Sequence, residues 1–159
     1  MDESARRKVL FVCLGNACRS PMAEAICLRN AADVIEASSA GLTPLGRVEA
    51  MTKQTLERNG YSAEGLESKA LLRQALEETG MVINMSGYSG KFVFEGAALV
   101  EDWPVEDPYG ADAEIYQRIF EDIERRVGEL AKRLRKSKGV TARESKKVGN
   151  IKKRGGSMQ

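Results

Sequence analysis

A short stretch near the N-terminus constrains the fold most, because it predicts a buried strand followed at once by a helix. Val9–Val12 is a continuous apolar run, which is typical of a strand covered on both faces of a parallel sheet. Ser20 and Pro21 then signal a helix start: serine offers an N-cap oxygen, and proline has no N–H to leave unpaired. The loop between these elements, from Cys13 to Arg19, must therefore turn tightly over the end of the strand.

The residue types in this loop, with the pattern C-x5-R-S, suit the binding of a phosphate dianion. A loop that leads into a helix N-terminus directs backbone N–H groups and partial positive charge at one point. Gly15 permits the tight path, and the planar fork of Arg19 can hold two oxygens. In that field we expect Cys13 to ionise and act as a nucleophile. The loop thus predicts a cysteine-dependent phosphatase, the alternative being an inert core cysteine beside a surface arginine.

The proton donor for the leaving group has to be a carboxylate, because the sequence contains no histidine. This absence excludes serine–histidine and cysteine–histidine machinery. Asp107 is the best candidate, since Pro108 keeps it out of helical geometry. Its loop follows a strand and so lies at the same sheet edge as the cysteine loop. An Asx turn is the structural alternative for Asp107, and spacing does not exclude Asp102 or Glu106.

The segment CLGNACRSP at residues 13–21, taken with Asp107-Pro-Tyr109, resembles the low-molecular-weight protein tyrosine phosphatases. The similarity extends over roughly residues 8–135. It implies that Cys13 is the nucleophile, Arg19 the phosphate clamp and Asp107 the general acid. It also implies a metal-independent reaction without a cofactor, in which phosphorylated protein is hydrolysed through a cysteinyl-phosphate intermediate.

The resemblance also implies roles for the remaining residues of the loop and its support. Ser20 would hydrogen-bond the thiolate, Asn16 would brace the loop against Ser39, and Tyr109 would line the mouth of the pocket. The other phosphate-binding positions are Leu14, Gly15, Ala17 and Cys18.

The position of Ala17 leaves the substrate class open. Tyrosine phosphatases of this family often have isoleucine there, and the related bacterial protein arginine phosphatases have threonine. The loop at residues 41–46 has no aromatic residue, although tyrosine-specific members usually place one there, so Leu45 would form that wall. Because Leu14 and the rest of the first loop match the tyrosine phosphatases, we expect phosphotyrosine on proteins as the substrate, with phosphoarginine as the alternative.

Two further functions are weaker interpretations of the same loop. Thioredoxin-coupled arsenate reductases also resemble it, but they need two more cysteines in a later segment, and this chain has none after Cys27. A module that binds phosphate without turnover would need neither Cys13 nor Asp107.

Cys18 has a predicted redox role. It lies five residues after Cys13 in a loop that surrounds one phosphate, so we expect the two sulfurs to approach closely enough to form a disulfide when Cys13 is oxidised. The alternative is a Cys18 that faces the core as a small apolar side chain.

Length and composition indicate one small globular enzyme domain. The chain has 159 residues, of which 42% are hydrophobic and 30% are charged, as is usual for soluble domains. No apolar leader and no run of membrane-spanning length is apparent, so we expect no membrane span. Three cysteines, two of them in one loop, form no disulfide framework, which favours the cytoplasm. With no histidine and no fourth cysteine, we expect no metal site.

Alternating strand and helix patterns predict an α/β fold with a three-layer, doubly wound sheet of four parallel strands, in which the phosphate loop follows the first strand. The family resemblance adds a flavodoxin-like strand order. The predicted strands are residues 8–13, 33–38, 81–85 and 97–102. The predicted helices lie near residues 21–32, 47–59, 69–79, 86–95 and 112–135.

Composition changes at residue 136. Residues 136–159 contain eight lysines and arginines and one glutamate, with little apolar content. We therefore predict a phosphatase domain at residues 1–135 and a basic, disordered tail at residues 136–159. Binding of nucleic acid by this tail is not favoured, because no aromatic residues are interleaved with its charges.

Overall fold

The computed structural model describes residues 6–154, except for the side chains of Phe92 and of residues 139–154. In this range four parallel strands form one sheet in the order β2-β1-β3-β4. The strands are β1 (Arg7–Cys13), β2 (Ile35–Gly41), β3 (Met81–Asn84) and β4 (Val100–Asp102). The helices are α1 (Arg19–Asn30), α2 (Ala50–Arg58), α3 (Arg73–Glu78), α4 (Gly90–Val93) and α5 (Ala113–Arg154). The predicted α/β class and flavodoxin-like strand order are confirmed.

The sheet separates two apolar layers, because successive residues of β1 point to opposite faces. Val9, Phe11 and Cys13 belong to a large cluster with α1 and α5, whereas Leu10 and Val12 belong to a smaller one with α3 and α4. Burial on both faces explains why this strand is a continuous apolar run. Since β1 lies between β2 and β3, the loop after it emerges at the middle of the sheet edge.

The start of α1 differs from the sequence prediction. The helix begins at Arg19, and its N-cap residue, Cys18, makes no side-chain capping bond. Ser20 therefore lies inside the first turn, which frees its hydroxyl for other partners. Pro21 is tolerated there because the first N–H groups of a helix have no intrahelical acceptor.

The segment before α3 is extended rather than helical, which corrects the helix predicted from residue 69. Gly41 at the end of β2 donates its N–H to the Lys69 carbonyl over 2.8 Å and accepts from the Leu71 N–H over 3.0 Å. A bridge between Gly41 and Ala70 continues the sheet edge. This pairing brings Ser68 and Lys69 beside the loop that follows β1.

The last helix, α5, is longer than predicted, because it continues past residue 135 to Arg154. The backbone of residues 136–154, for which the sequence predicted disorder, is thus helical. Extension of an existing helix avoids the cost of nucleation, and the lysines, arginines and alanine of this segment are good helix formers. Residues 155–159 lie outside the described residues, and the domain boundary stays a prediction. No helix within residues 6–154 is both long enough and apolar enough to cross a membrane.

Candidate active site

The loop from Cys13 to Arg19 turns its carbonyl groups away from its own centre. The carbonyls of Cys13, Leu14 and Gly15 accept N–H groups from the segment at residues 42–45 over 2.8–3.1 Å. The Ala17 carbonyl accepts the Glu49 N–H over 3.1 Å. A peptide's C=O and N–H point in opposite directions, so outward carbonyls leave N–H groups facing the centre. This is the arrangement that the predicted anion-binding nest requires.

Ser68 fastens the same loop to its neighbour. Its hydroxyl donates to the Gly15 carbonyl over 2.9 Å and accepts from the Gly46 N–H over 3.1 Å. A β-carbon on Gly41 would lie only 2.9 Å from atoms of Asn16. The glycine at the end of β2 therefore lets the strand and the loop pack in direct contact. No local sequence pattern marks Ser68, since its contact with the loop depends on the extended segment before α3.

Asn16 organises the hydrogen bonds behind the loop. It is fully buried and has a φ of +48°, a left-handed conformation that asparagine tolerates better than most residues. Its side-chain oxygen accepts the Lys69 N–H over 2.7 Å. The amide nitrogen therefore faces the two serines, and it donates to the Ser20 hydroxyl over 2.7 Å and to the Ser39 hydroxyl over 3.0 Å.

The direction of these bonds assigns the donor at the sulfur. Both serine oxygens accept from Asn16, so each hydroxyl proton must point elsewhere. The Ser39 hydroxyl donates to a carboxylate oxygen of Glu24 over 2.5 Å. The Ser20 hydroxyl is left to donate to the Cys13 sulfur over 3.0 Å, and the Ser20 N–H lies 3.4 Å from the same sulfur. Two donors are thus aimed at one sulfur.

Arg19 is held in place by backbone carbonyls. Its side chain is buried and donates to the Met85 carbonyl over 2.6 Å and to the Val105 carbonyl over 3.1 Å. The Nε atom is buried and has no hydrogen-bond partner among the described residues. An unpaired buried N–H costs roughly 1–3 kcal/mol, so an oxyanion bound in the loop is the acceptor that this atom fits.

Asp107 lies beside Arg19, with its Oδ2 atom 3.4 Å from a guanidinium nitrogen. Its Oδ1 atom accepts the Tyr109 N–H over 3.1 Å, so the Asx turn and the position at the site occur together. The two competing carboxylates are held elsewhere. Asp102 accepts from the Asn84 amide, and Glu106 pairs with Arg118 at the surface.

Cys18 faces both the loop and the core. Its sulfur is hydrogen-bonded to the Tyr116 hydroxyl over 3.2 Å. Burial raises the pKa of the Cys18 thiol, and the bond with Tyr116 offsets only part of that effect. Burial also raises the pKa of Cys27 to about 12. Both thiols are therefore neutral near pH 7.

A cleft of about 490 Å³ opens over the loop. The structure brings most of the predicted site residues to its wall and places Asn16, Ser20 and Ser39 behind the loop, where they are buried. Thr43 and Tyr88 also line it, and sequence analysis missed both. The lining residues are Cys13, Leu14, Gly15, Ala17, Cys18, Arg19, Thr43, Leu45, Tyr88, Asp107 and Tyr109.

Comparison with known proteins agrees with this geometry. The family model for low molecular weight phosphotyrosine protein phosphatase matches residues 8–140. A glutaredoxin arsenate reductase of Synechocystis sp. is 30% identical over 126 residues, covering 78% of this chain and 95% of that protein. A protein-arginine-phosphatase of Bacillus subtilis is 31% identical over 148 residues, covering 82% of this chain and 98% of that protein.

A solved structure of a low molecular weight protein tyrosine phosphatase from T. tengcongensis superposes with a TM-score of 0.72 at 27% identity. The match covers 80% of this chain and 99% of that one. Proteins with three different activities in their names thus share this fold and most of its length.

Asn16 turns the Ser20 hydroxyl toward the Cys13 sulfur, where it is a donor that stabilises negative charge on that atom. We expect Ser20→Ala to slow the alkylation of Cys13 by iodoacetate by roughly 3- to 10-fold, the equivalent of about half to one ordinary hydrogen bond. Ser20→Thr, which keeps the hydroxyl, should restore most of the rate. The matched control is Ser39→Ala, which also removes an acceptor of the Asn16 amide but leaves the donors at the sulfur in place. An unchanged alkylation rate in Ser20→Ala would contradict this role.

Proposed function

This chain belongs to the low-molecular-weight phosphotyrosine protein phosphatase family, and from that premise we propose that it hydrolyses phosphotyrosine on proteins through a cysteinyl-phosphate intermediate. The observation that carries the proposal is the convergence of Cys13, Arg19 and Asp107 on one anion-binding loop. A module that only bound phosphate would need the loop and Arg19 but neither a nucleophile nor an acid.

In the proposed first step, the inward N–H groups of the loop and the Arg19 guanidinium bind the phosphate oxygens. The Cys13 thiolate attacks phosphorus in line with the leaving oxygen, and the bond from phosphorus to that oxygen breaks. Asp107 gives its proton to the leaving phenolate, which departs as a neutral phenol.

In the second step, water cleaves the phosphoenzyme. Asp107, now a carboxylate, takes a proton from the water as its oxygen attacks phosphorus. The phosphorus–sulfur bond breaks and Cys13 leaves as a thiolate, which the Ser20 hydroxyl stabilises from 3.0 Å. Inorganic phosphate is the product, and the enzyme returns to its starting protonation state.

Phosphotyrosine fits the walls of the cleft. Leu45 and Tyr109 line it and are about half exposed, which provides apolar contact for a phenyl ring. The guanidinium of a phosphoarginine substrate would need an acidic partner in the cleft. Asp107 is the one carboxylate among the described lining residues, and it already faces Arg19.

Phosphoarginine is the second candidate. It is favoured by the small Ala17 in the loop and by the 31% identity to a protein-arginine-phosphatase of Bacillus subtilis. Arsenate reduction has less support, because the chain has no cysteine after Cys27 to accept the oxidation in the way that thioredoxin-coupled reductases require.

The substrate class is tested by initial rates on phosphotyrosine and phosphoarginine peptides, measured side by side with EDTA present. We expect kcat/KM to be higher for phosphotyrosine and unaffected by EDTA. Cys13→Ser should abolish turnover yet still bind inorganic phosphate, since the N–H groups and Arg19 remain. A higher kcat/KM for phosphoarginine would assign the enzyme to the second candidate.

The role of Asp107 is tested by the leaving group. Asp107→Asn should lower kcat/KM, which does not include hydrolysis of the phosphoenzyme, by roughly 10²- to 10⁴-fold on phenyl phosphate, whose leaving group needs a proton, and by much less on p-nitrophenyl phosphate. Glu106→Gln is the matched control, because Glu106 is adjacent in sequence but pairs with Arg118, and it should leave both rates unchanged. Equal losses on the two substrates would rule out Asp107 as the acid.

We propose Cys18 as the thiol that protects Cys13 from irreversible oxidation, since both line the same cleft. Peroxide oxidises the Cys13 thiolate to a sulfenic acid, and Cys18 displaces water from it to form a disulfide. After peroxide treatment, dithiothreitol should restore activity to the wild type and to Cys27→Ser, but not to Cys18→Ser. Full recovery in Cys18→Ser, with no Cys13–Cys18 peptide in mass spectra, would exclude this protection.

A further inference from the structure

Tyr88 is an aromatic side chain at the cleft that the chemistry described so far does not use. It lies in the loop between β3 and α4, it lines the cleft, and 59% of its surface is exposed. Among the described residues, six large apolar or aromatic side chains are exposed, and three of them line this cleft: Leu45, Tyr88 and Tyr109. Such clustering of exposed apolar surface marks a place where another molecule binds.

The backbone of Tyr88 is fixed on both sides. Its carbonyl accepts the Asn84 amide over 2.6 Å, and its N–H donates to the Ser86 hydroxyl over 3.2 Å. Gly87, with a φ of +92°, supplies the left-handed conformation that turns the chain between Ser86 and Tyr88.

The two residues that hold Tyr88 are themselves buried and bonded. Asn84, at the end of β3, also donates to the Asp102 carboxylate over 2.8 Å. Its side-chain oxygen accepts the N–H and the hydroxyl of Ser86 over 3.0 and 2.7 Å. The loop is thus tied to the ends of two strands. An aromatic ring on such a support loses little conformational entropy when a ligand binds against it.

We infer that Tyr88 forms one wall of a subsite for the aromatic ring of the substrate, with Tyr109 and Leu45 as its other walls. The inference rests on the proposed function and names the residue that selects its substrate class. The loop at residues 41–46, which follows β2, carries no aromatic residue, and Tyr88 supplies the ring contact from the loop after β3, on the other side of β1, instead. Ring pairs gain their attraction from offset or edge-to-face contact, which a substrate without an aromatic ring cannot provide.

The test is binding of two phosphonates, phenylphosphonate and methylphosphonate, measured by isothermal titration calorimetry. Both occupy the loop, but only the first carries a ring. Tyr88→Ala should weaken phenylphosphonate binding by roughly 2- to 12-fold, the range expected for one aromatic pair, and leave methylphosphonate binding unchanged. Tyr88→Phe, which keeps the ring, should bind both as the wild type does.

The control variant is Leu28→Ala, which removes a side chain of similar exposure that does not line the cleft, and its affinities should equal those of the wild type. Three results would overturn the inference: less than a twofold preference of the wild type for phenylphosphonate, an equal loss for both ligands in Tyr88→Ala, or the same loss in Tyr88→Phe. A wild type that fails to hydrolyse phosphotyrosine would overturn the proposed function. Because binding needs no turnover, the dissociation constants would still decide whether Tyr88 belongs to a ring subsite.

Discussion

The rest of the site depends on how the loop from Cys13 to Arg19 finds hydrogen-bond partners for its own backbone groups. A loop this short can point its N–H groups at an anion only if its carbonyls find partners outside. The segment at residues 42–45, Glu49 and the Ser68 hydroxyl provide those partners. The nest is therefore a product of two neighbouring loops, and the extended backbone at residues 69–71 that holds them together is as necessary to it as the helix N-terminus.

Asn16 links this backbone geometry to the chemistry. Its amide has one acceptor and two donor directions, and the N–H of Lys69 occupies the acceptor, so the serines must accept. That single assignment turns the Ser20 proton toward Cys13 and the Ser39 proton toward Glu24. An aspartate at this position could not donate, and a leucine could neither donate nor adopt the left-handed backbone cheaply. One buried amide thus sets both the shape of the loop and the direction of the hydrogen bond at the Cys13 sulfur.

The sequence predicted features that depend on local patterns, namely the strand–loop–helix unit, the strand order through its family resemblance, and an exposed Asp107 ahead of Pro108. It missed features that need neighbours distant in the chain. No local sequence pattern marks Tyr88 as a site residue. Its loop reaches the cleft because β3 pairs with β1 in the sheet. Residues 69–72 have helical composition, yet pairing with Gly41 holds them extended. The helix beyond residue 135 was missed because charge composition says little about a segment that continues an existing helix.

The parts of the site come from separate segments with separate tasks. In the proposed function, the loop after β1 provides the anion site and the nucleophile, the loop after β4 provides Asp107 and the Tyr109 wall, and the other two ring walls stand on the loops after β2 and β3. Replacing a wall residue such as Leu45 leaves the carbonyl partners of the first loop intact, because those bonds run through backbone atoms. Substrate preference can therefore change without loss of the anion-binding loop. This independence explains how relatives of one fold include phosphatases for two amino acids and reductases of an oxyanion.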